Sequence, residues 1–361
     1  MKLVIAGGGT GGHIIPALAI ADQLTAECEA AGSQAEILFI GTPRGLESKL
    51  VPQAGYPLSL IKVGQLNNVS LLTRVRTLLD LPLSVMGCMR MLRKYRPNAV
   101  VGVGGYASGP AMLAAQLLRI PTLAFEPNAI PGLANRLIGK RVHAAAVNFA
   151  PAAQYFRHAQ VTGIPVRKQF FVLPPRPADQ PPQLLVFGGS QGARVFNTYM
   201  PQAAAELLAA VPGLTILHQA GARHAEATEQ AYEASGADQS RWRVAPFLDD
   251  MPQRFAEASL ILARSGASTV AELAAAGKPA LLVPFPQAAD DHQRKNAEVM
   301  AQAGAAAMVL EADLTPGRLG RELAHLLAAP AQLAQMSDKA RTLAHPDATE
   351  QITRMIRQIA R

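Results

Sequence analysis

Two side chains in this sequence have both the type and the setting to do chemistry. His13 closes the run Gly7-Gly8-Gly9-Thr10-Gly11-Gly12-His13, after the apolar stretch Leu3 to Ala6 and at the start of a helical pattern from about Ile14 to Ala30. An imidazole among free N–H groups, at the positive end of a helix dipole, stays neutral near pH 7 and can take a proton from a hydroxyl. Glu272 lies in Ser265-Gly266-Ala267-Ser268-Thr269-Val270-Ala271-Glu272, after the apolar run Leu260 to Ala263. The turn offers N–H groups and a helix dipole to a phosphate. The carboxylate, on the flank of Thr269 and Ala276, suits sugar hydroxyls, from which it accepts hydrogen bonds. Each residue also has a plainer reading: His13 as the cap of its own loop, Glu272 as a solvated residue of an ordinary helix start.

The elements that must hold these residues repeat one pattern, an apolar strand, a small-residue turn and a helix. Asn98 to Val103 runs into Gly104-Gly105-Tyr106-Ala107-Ser108-Gly109-Pro110, and Pro121 to Phe125 runs into Glu126-Pro127-Asn128. In an open parallel sheet such strand ends gather along one edge, where ligands bind. His13, Tyr106, Glu126 and Asn128 are therefore expected to converge. Lys168 to Pro182 holds five prolines and reads as a linker. The pattern then restarts with the strand Gln183 to Phe187, the turn Gly188-Gly189-Ser190-Gln191-Gly192-Ala193-Arg194 and a helix from about Val195 to Ala210. Ser190 and its turn make a good anion cradle. A further helix is predicted over Ala267 to Ala276, closed by Gly277. The expected fold class is α/β, with two doubly wound Rossmann-like domains facing a cleft. Expected boundaries are 1–165, 166–340, and a terminal helix in 341–361 that packs back on the first domain.

Glycines 7, 9 and 12 formally match the dinucleotide fingerprint. The next strand, Glu36 to Ile40, ends in Gly41-Thr42-Pro43 without the acid that a ribose needs, which speaks against a nicotinamide dehydrogenase. No Gly-Lys-Ser/Thr follows the loop, so it is no Walker P-loop. Asp290, Asp291 and His292 have metal-ligand chemistry, but consecutive residues rarely point at one ion. No metal and no cofactor is expected.

Composition narrows the class further. The chain has 361 residues, 49% of them hydrophobic and 17% charged, enough for two sizeable cores. Its net charge of +8 is uneven: residues 1–165 hold 15 Lys+Arg against 7 Asp+Glu, and residues 166–361 hold 19 of each. The first half should face something anionic. Between Gly64 and Gly105, Arg74, Arg76, Arg90, Arg93, Lys94 and Arg96 stand against the single acid Asp80. Within that stretch Leu71, Leu72, Val75, Leu78 and Leu79 mark one helix face, which suits a helix lying on an anionic membrane surface. The same stripe also fits an ordinary core-facing helix. The two cysteines, Cys28 and Cys88, give no disulfide framework, and a reducing cytoplasm fits. Glycine breaks the N-terminal apolar run too early for a signal peptide, and no run is long enough to span a membrane.

Taken together, these motifs resemble the MurG family of peptidoglycan glycosyltransferases, two-domain GT-B enzymes, over nearly the whole chain. The resemblance is carried by Gly8 to His13 with Pro16, Gly104-Gly105-Tyr106 with Ser108-Gly109-Pro110, Glu126-Pro127-Asn128, Thr162 to Arg167, Gly188 to Ala193, Arg264 to Ala267 with Thr269 and Glu272, and Asp291-His292-Gln293 with Asn296-Ala297. It implies inverting transfer of N-acetylglucosamine from UDP-N-acetylglucosamine to lipid I, giving lipid II in peptidoglycan synthesis. It further implies that Ser190 and its turn meet the diphosphate with Arg167 nearby, that the Leu248 backbone meets the uracil, and that Ala267, Ser268, Thr269, Val270 and Ala271 line the donor. Glu272 would bind the ribose, and Gln293 hydroxyls of the sugar. Thr10, Gly11, Gly12 and Asn128 would reach the donor sugar from the first domain. Inverting transfer itself needs a base for the acceptor hydroxyl, and His13 is expected to be that base, placed by Glu126 or Tyr106. Ser268 departs from the frequent Leu and Pro127 from the frequent Gln. The implied location is peripheral, on the cytoplasmic face of the bacterial inner membrane, with other cell-wall synthesis proteins as partners.

Competing readings are a GT-B transferase with another lipid acceptor, such as diacylglycerol, and a UDP-N-acetylglucosamine epimerase. A nucleic-acid binder using the basic half lacks the aromatic platform that such binding needs, so no nucleic acid is expected.

Overall fold

The apolar strands of each half are too uniformly hydrophobic to leave a face in water, so helices must cover both sides. In the computed structural model they do. It describes residues 1–9, 11–43, 45–63, 71–177 and 179–360, with the backbone alone for 71–79. Thr10 lies outside the described residues, as do the side chains of the predicted stripe from Leu71 to Leu79, Arg74 and Arg76 included.

The first half alternates β1 (Lys2–Ala6), α1 (Gly11–Ala30), β2 (Glu36–Gly41), α2 (Glu47–Gln53), β3 (Leu58–Leu60), α3 (Leu71–Tyr95), β4 (Ala99–Gly102), α4 (Ser108–Leu117), β5 (Thr122–Glu126), α5 (Leu133–Ile138), β6 (Ala144–Val147) and β7 (Ala159–Val161). Its seven strands pair in parallel in the order β3-β2-β1-β4-β5-β6-β7. The chain winds outward from β1 to β3, then returns through α3 to start again at β4. The switch point lies between β1 and β4, the position where open α/β sheets open a crevice at their strand ends. Leu3, Val4, Ile5, Val100 and Val101 at the sheet centre are fully buried.

The second half repeats this winding with β8 (Gln183–Phe187), α6 (Arg194–Ala210), β9 (Thr215–Gln219), α7 (Ala225–Glu233), β10 (Trp242–Ala245), α8 (Met251–Glu257), β11 (Leu260–Ala263), α9 (Ala267–Ala276), β12 (Ala280–Leu282), α10 (His292–Gln302), β13 (Ala306–Met308), α11 (Pro316–Leu327) and α12 (Pro330–Arg341). Six parallel strands run β10-β9-β8-β11-β12-β13, with the switch point between β8 and β11. Helix α9 spans the predicted residues, and Gly277 closes it in the left-handed conformation at φ 57°. Helix α1 starts at Gly11, ahead of the predicted Ile14, because two glycines and His13 join the helix without any apolar residue to mark them.

Residues Met1–Pro165 with His345–Arg361 form one compact unit, and Val166–Ala344 the other. The second unit runs to Ala344 where the sequence suggests 340. The reason is that α12 continues to Arg341, whose side chain lies over Gly277. The last helix, α13 (Ala348–Ile359), belongs to the first unit: it buries Ile352, Met355 and Ile356 and packs on α1. There Thr353 donates to Glu27 at 2.9 Å, and Arg357 pairs with the same carboxylate.

Candidate active site

In the first unit the glycine turns after β1 and β4 meet backbone to backbone. Gly8 N–H donates to Gly104 O at 3.3 Å, and a Cβ on Gly105 would lie 2.2 Å from Gly8 O. His13, in the first turn of α1, lays its ring against the same turn: a Cβ on Gly104, at φ 90°, would lie 2.8 Å from His13 Cε1. Glycine at 104 therefore makes the room that this imidazole needs, and glycine at 105 lets the two turns meet. Tyr106 is 41% exposed and makes no hydrogen bond among the described residues.

Glu126 ends β5, next to β4, and is 2% exposed. Its carboxylate accepts from Asn128 N–H (3.0 Å), Asn128 Nδ2 (3.2 Å), Gly132 N–H (3.2 Å) and Asn135 Nδ2 (2.9 Å). Burial pushes the carboxyl up to about 7 against the pull of these donors. The structure thus brings Glu126 and Asn128 together, and His13 together with the Gly104 turn. The hydrogen bonds of Glu126 go to its own loop, and hold Asn128 in place.

In the second unit, Ser190 is exposed at the tip of the turn between β8 and α6, among backbone N–H groups at a helix start. Gln219, at the end of β9 and 3% exposed, braces this turn by donating from Nε2 to Gly189 O at 2.9 Å. Its Oε1 accepts from Leu248 N–H at 3.0 Å. One amide thus ties the anion turn to the residue that the resemblance puts against uracil. Behind it His218 is fully buried between Tyr232 OH (3.2 Å) and Asn197 Oδ1 (3.1 Å), and burial pushes it down to about 3.

Helix α9 presents Ala267, Ser268, Thr269, Val270, Ala271 and Glu272 in its first two turns, with Gly266 as its N-cap. Of these, Ala267 and Val270 face the core, and Ser268 Oγ is shielded from solvent without a hydrogen-bond partner among the described residues. Ser265 is buried and donates to Gln293 O at 2.8 Å, while Gln293 Oε1 accepts from Phe285 N–H at 3.1 Å. Gln293 is thereby fixed beside the α9 start. Glu272 pairs with Arg167 at 3.5 Å, and Arg167 lies over the Phe170 ring at 4.9 Å. Burial pushes the Glu272 carboxyl up to about 7, with Arg167 opposing; the 23% of the side chain that reaches water tempers the rise. Asp291 pairs with Arg294 and His292 bonds to Ala289 O. Among the described residues no three His, Cys, Asp or Glu side chains are grouped to hold a metal.

Two residues here escape a reading of motifs. Gln219 follows a buried strand and looks like its polar end. Glu47, 1% exposed, looks like an acid at a helix start but turns inward to the first glycine turn, its Oε2 accepting from Gly9 N–H at 2.7 Å. The available signal was the glycine spacing around it, at 41 and 45.

Two family models cover most of the chain. The family model "Glycosyltransferase family 28 N-terminal domain" matches residues 3–147, and "Glycosyltransferase family 28 C-terminal domain" matches residues 183–352. A relative from Anaeromyxobacter dehalogenans (strain 2CP-C) is 42% identical over 365 residues, covering 100% of this chain and 94% of that protein. It is named UDP-N-acetylglucosamine--N-acetylmuramyl-(pentapeptide) pyrophosphoryl-undecaprenol N-acetylglucosamine transferase. The crystal structure of Acinetobacter baumannii MurG superposes with a TM-score of 0.82 at 33% identity, covering 99% of both chains. The UDP-GlcNAc 2-epimerase of Neisseria meningitidis superposes at 0.65 with 12% identity over 99% of this chain and 100% of that one, a likeness of fold alone.

Proposed function

Because the chain belongs to the MurG family within glycosyltransferase family 28, we infer that it transfers N-acetylglucosamine from UDP-N-acetylglucosamine to lipid I, forming lipid II for peptidoglycan. The observation that carries this is identity of 42% along the whole chain to an enzyme of that name. Its two Rossmann-like units are the GT-B architecture. The epimerase and diacylglycerol readings are not favoured.

The base and the leaving-group donors follow from what the reaction needs, and the donor contacts from the resemblance. Inverting transfer is a direct displacement: the acceptor hydroxyl attacks the anomeric carbon, and the bond to the diphosphate breaks with its electron pair leaving on UDP. His13 takes the hydroxyl proton and later releases it to water. Glu126 holds Asn128 and its loop, and Tyr106 stands at the acceptor side. The N–H groups around Ser190 and at the α9 start stabilise the departing diphosphate without reorganising. Glu272 accepts from the ribose hydroxyls, the Leu248 backbone reads the uracil, and Gln293 holds sugar hydroxyls.

The test is product formation from radiolabelled UDP-N-acetylglucosamine and a short-chain lipid I analogue, run in EDTA with diacylglycerol and acceptor-free controls. Label should move onto the lipid I analogue alone. Label on diacylglycerol would replace the acceptor, and donor consumed without acceptor would establish the epimerase.

Docking at an anionic membrane surface follows from the acceptor, which carries a pyrophosphate and a polyprenyl chain. No helix among the described residues is long and apolar enough to cross a membrane; in this reading the acceptor is met peripherally, from the cytoplasmic face. On the described part of α3, Val85, Cys88 and Leu92 face the core, while Leu83, Met86, Arg90, Arg93 and Lys94 face outward at helical spacing. Apolar side chains rimmed by cations suit lipid head groups. Changing Arg90 and Arg93 to Glu should weaken binding to vesicles rich in anionic lipid by at least about tenfold, at roughly 1 kcal/mol per basic residue. Sedimentation that ignores both the changes and the lipid charge would remove this surface from consideration.

A further inference from the structure

We propose that Glu47 is a positioning residue for the first unit's chemistry, a built-in anion that ties the Gly9 N–H of the first glycine turn to Thr42 after β2 and so fixes the turn that leads into His13. The proposal rests on the reading above, in which His13 serves the acceptor.

The geometry around Glu47 is a complete anion site with its occupant supplied by the chain. Oε2 accepts from Gly9 N–H at 2.7 Å, and Oε1 accepts from Thr42 N–H at 2.9 Å and Thr42 Oγ1 at 2.8 Å. Gly9 is also held through its carbonyl, which accepts from Leu46 N–H at 3.4 Å. Three glycines make the space: a Cβ on Gly8, Gly41 or Gly45 would fall 2.2, 2.4 or 2.0 Å from the Glu47 side chain. Burial opposes ionisation of Glu47, but the backbone N–H donors outweigh it and hold the carboxyl below its ordinary value. The site is therefore occupied by a carboxylate at neutral pH.

Gly9 stands two residues before the start of α1 and four before His13, so a clamp on its peptide sets where that helix begins. The matching turn of the second unit is braced differently, by the neutral amide of Gln219 donating to Gly189 O. A phosphate approaching the Gly9 N–H would meet a charge of its own sign; one approaching the Ser190 turn meets none from its brace. The Gly9 N–H is thus taken by an internal carboxylate, whereas the brace of the Ser190 turn brings no charge.

The full-length chain tests this with Glu47→Ala and the volume-conserving Glu47→Gln, which puts an amide NH2 against one of the N–H donors. Acceptor and donor are varied separately, UDP binding and thermal unfolding are followed as controls, and the ring signal of His13 is read by NMR with histidine-labelled protein, assigned from His13→Ala. Misplacing a reacting group by about 1 Å costs on the order of a hundredfold. We expect that loss in kcat/KM for the lipid I analogue, with UDP affinity unchanged, a displaced or broadened His13 signal in Glu47→Gln, and partial restoration of Glu47→Ala by formate but not by chloride. An undisturbed His13 signal in both variants, or a loss carried by weakened UDP affinity with kcat unchanged, would overturn the proposal. Failure of wild type to label the analogue would instead sink the functional reading, since the His13 signal still reports on Glu47.

Discussion

His13→Ala should lose turnover by about 10²–10⁴-fold, the range contributed by a positioned general base, while UDP binding stays at the wild-type level. The separation is expected because His13 belongs to the first unit, and the residues assigned to UDP belong to the second. The imidazole sits on a bed of glycine backbone, so its removal leaves a gap at a surface and no collapsed core. Steady-state turnover with saturating donor, beside UDP titration, checks both halves of the claim. Turnover within about tenfold of wild type lies below the general-base range and would withdraw the assignment.

The second large effect is on the donor. Glu272→Gln should raise the KM for UDP-N-acetylglucosamine roughly ten- to a hundredfold, since hydrogen bonds to a charged partner contribute about 1.5–3 kcal/mol. The ionised carboxylate is the form that accepts from two hydroxyls. Its pKa is raised to about 7, so the wild-type donor KM should climb as the pH falls through that value. Donor affinity is fully developed only above it. Glu272→Gln has no proton to take up there and should show a flat profile. The decisive measurement is donor KM across about pH 5.5–8, a span that brackets this pKa and avoids the ordinary carboxylate range. A donor KM that Glu272→Gln leaves unchanged would mean that Glu272 does not face the ribose.

How much of this was legible in the sequence depended on what kind of residue carried the information. The winding of both sheets was legible, because a parallel strand buried on two faces has to be a continuous apolar run, and Leu3 to Ala6 or Leu260 to Ala263 can be little else. The position of α9 was legible to the residue, since Gly266 and Gly277 bracket it chemically. The start of α1 was less so: glycine adopts helical geometry without advertising it. The convergence of strand ends was legible as topology, while the partners of Glu126 were not. A carboxylate in a loop can reach across to another strand's loop or curl into its own, and only the path of the chain from Asn128 to Asn135 decides it. Glu47 and Gln219 were invisible for a related reason. Each touches backbone atoms far from it in sequence, and backbone atoms leave no signature in residue type except where glycine is required.

The return of α13 to the first unit sets an order in time. At about 5–20 residues per second, the ribosome needs roughly ten to forty seconds to go from the end of the first sheet to the helix that covers it. The second unit, Val166–Ala344, is contiguous and can close as it emerges. The first must wait with the α1 surface that α13 will cover still open to water. The half of the chain that begins first is finished last, and during that wait its apolar flank is the part most in need of shelter.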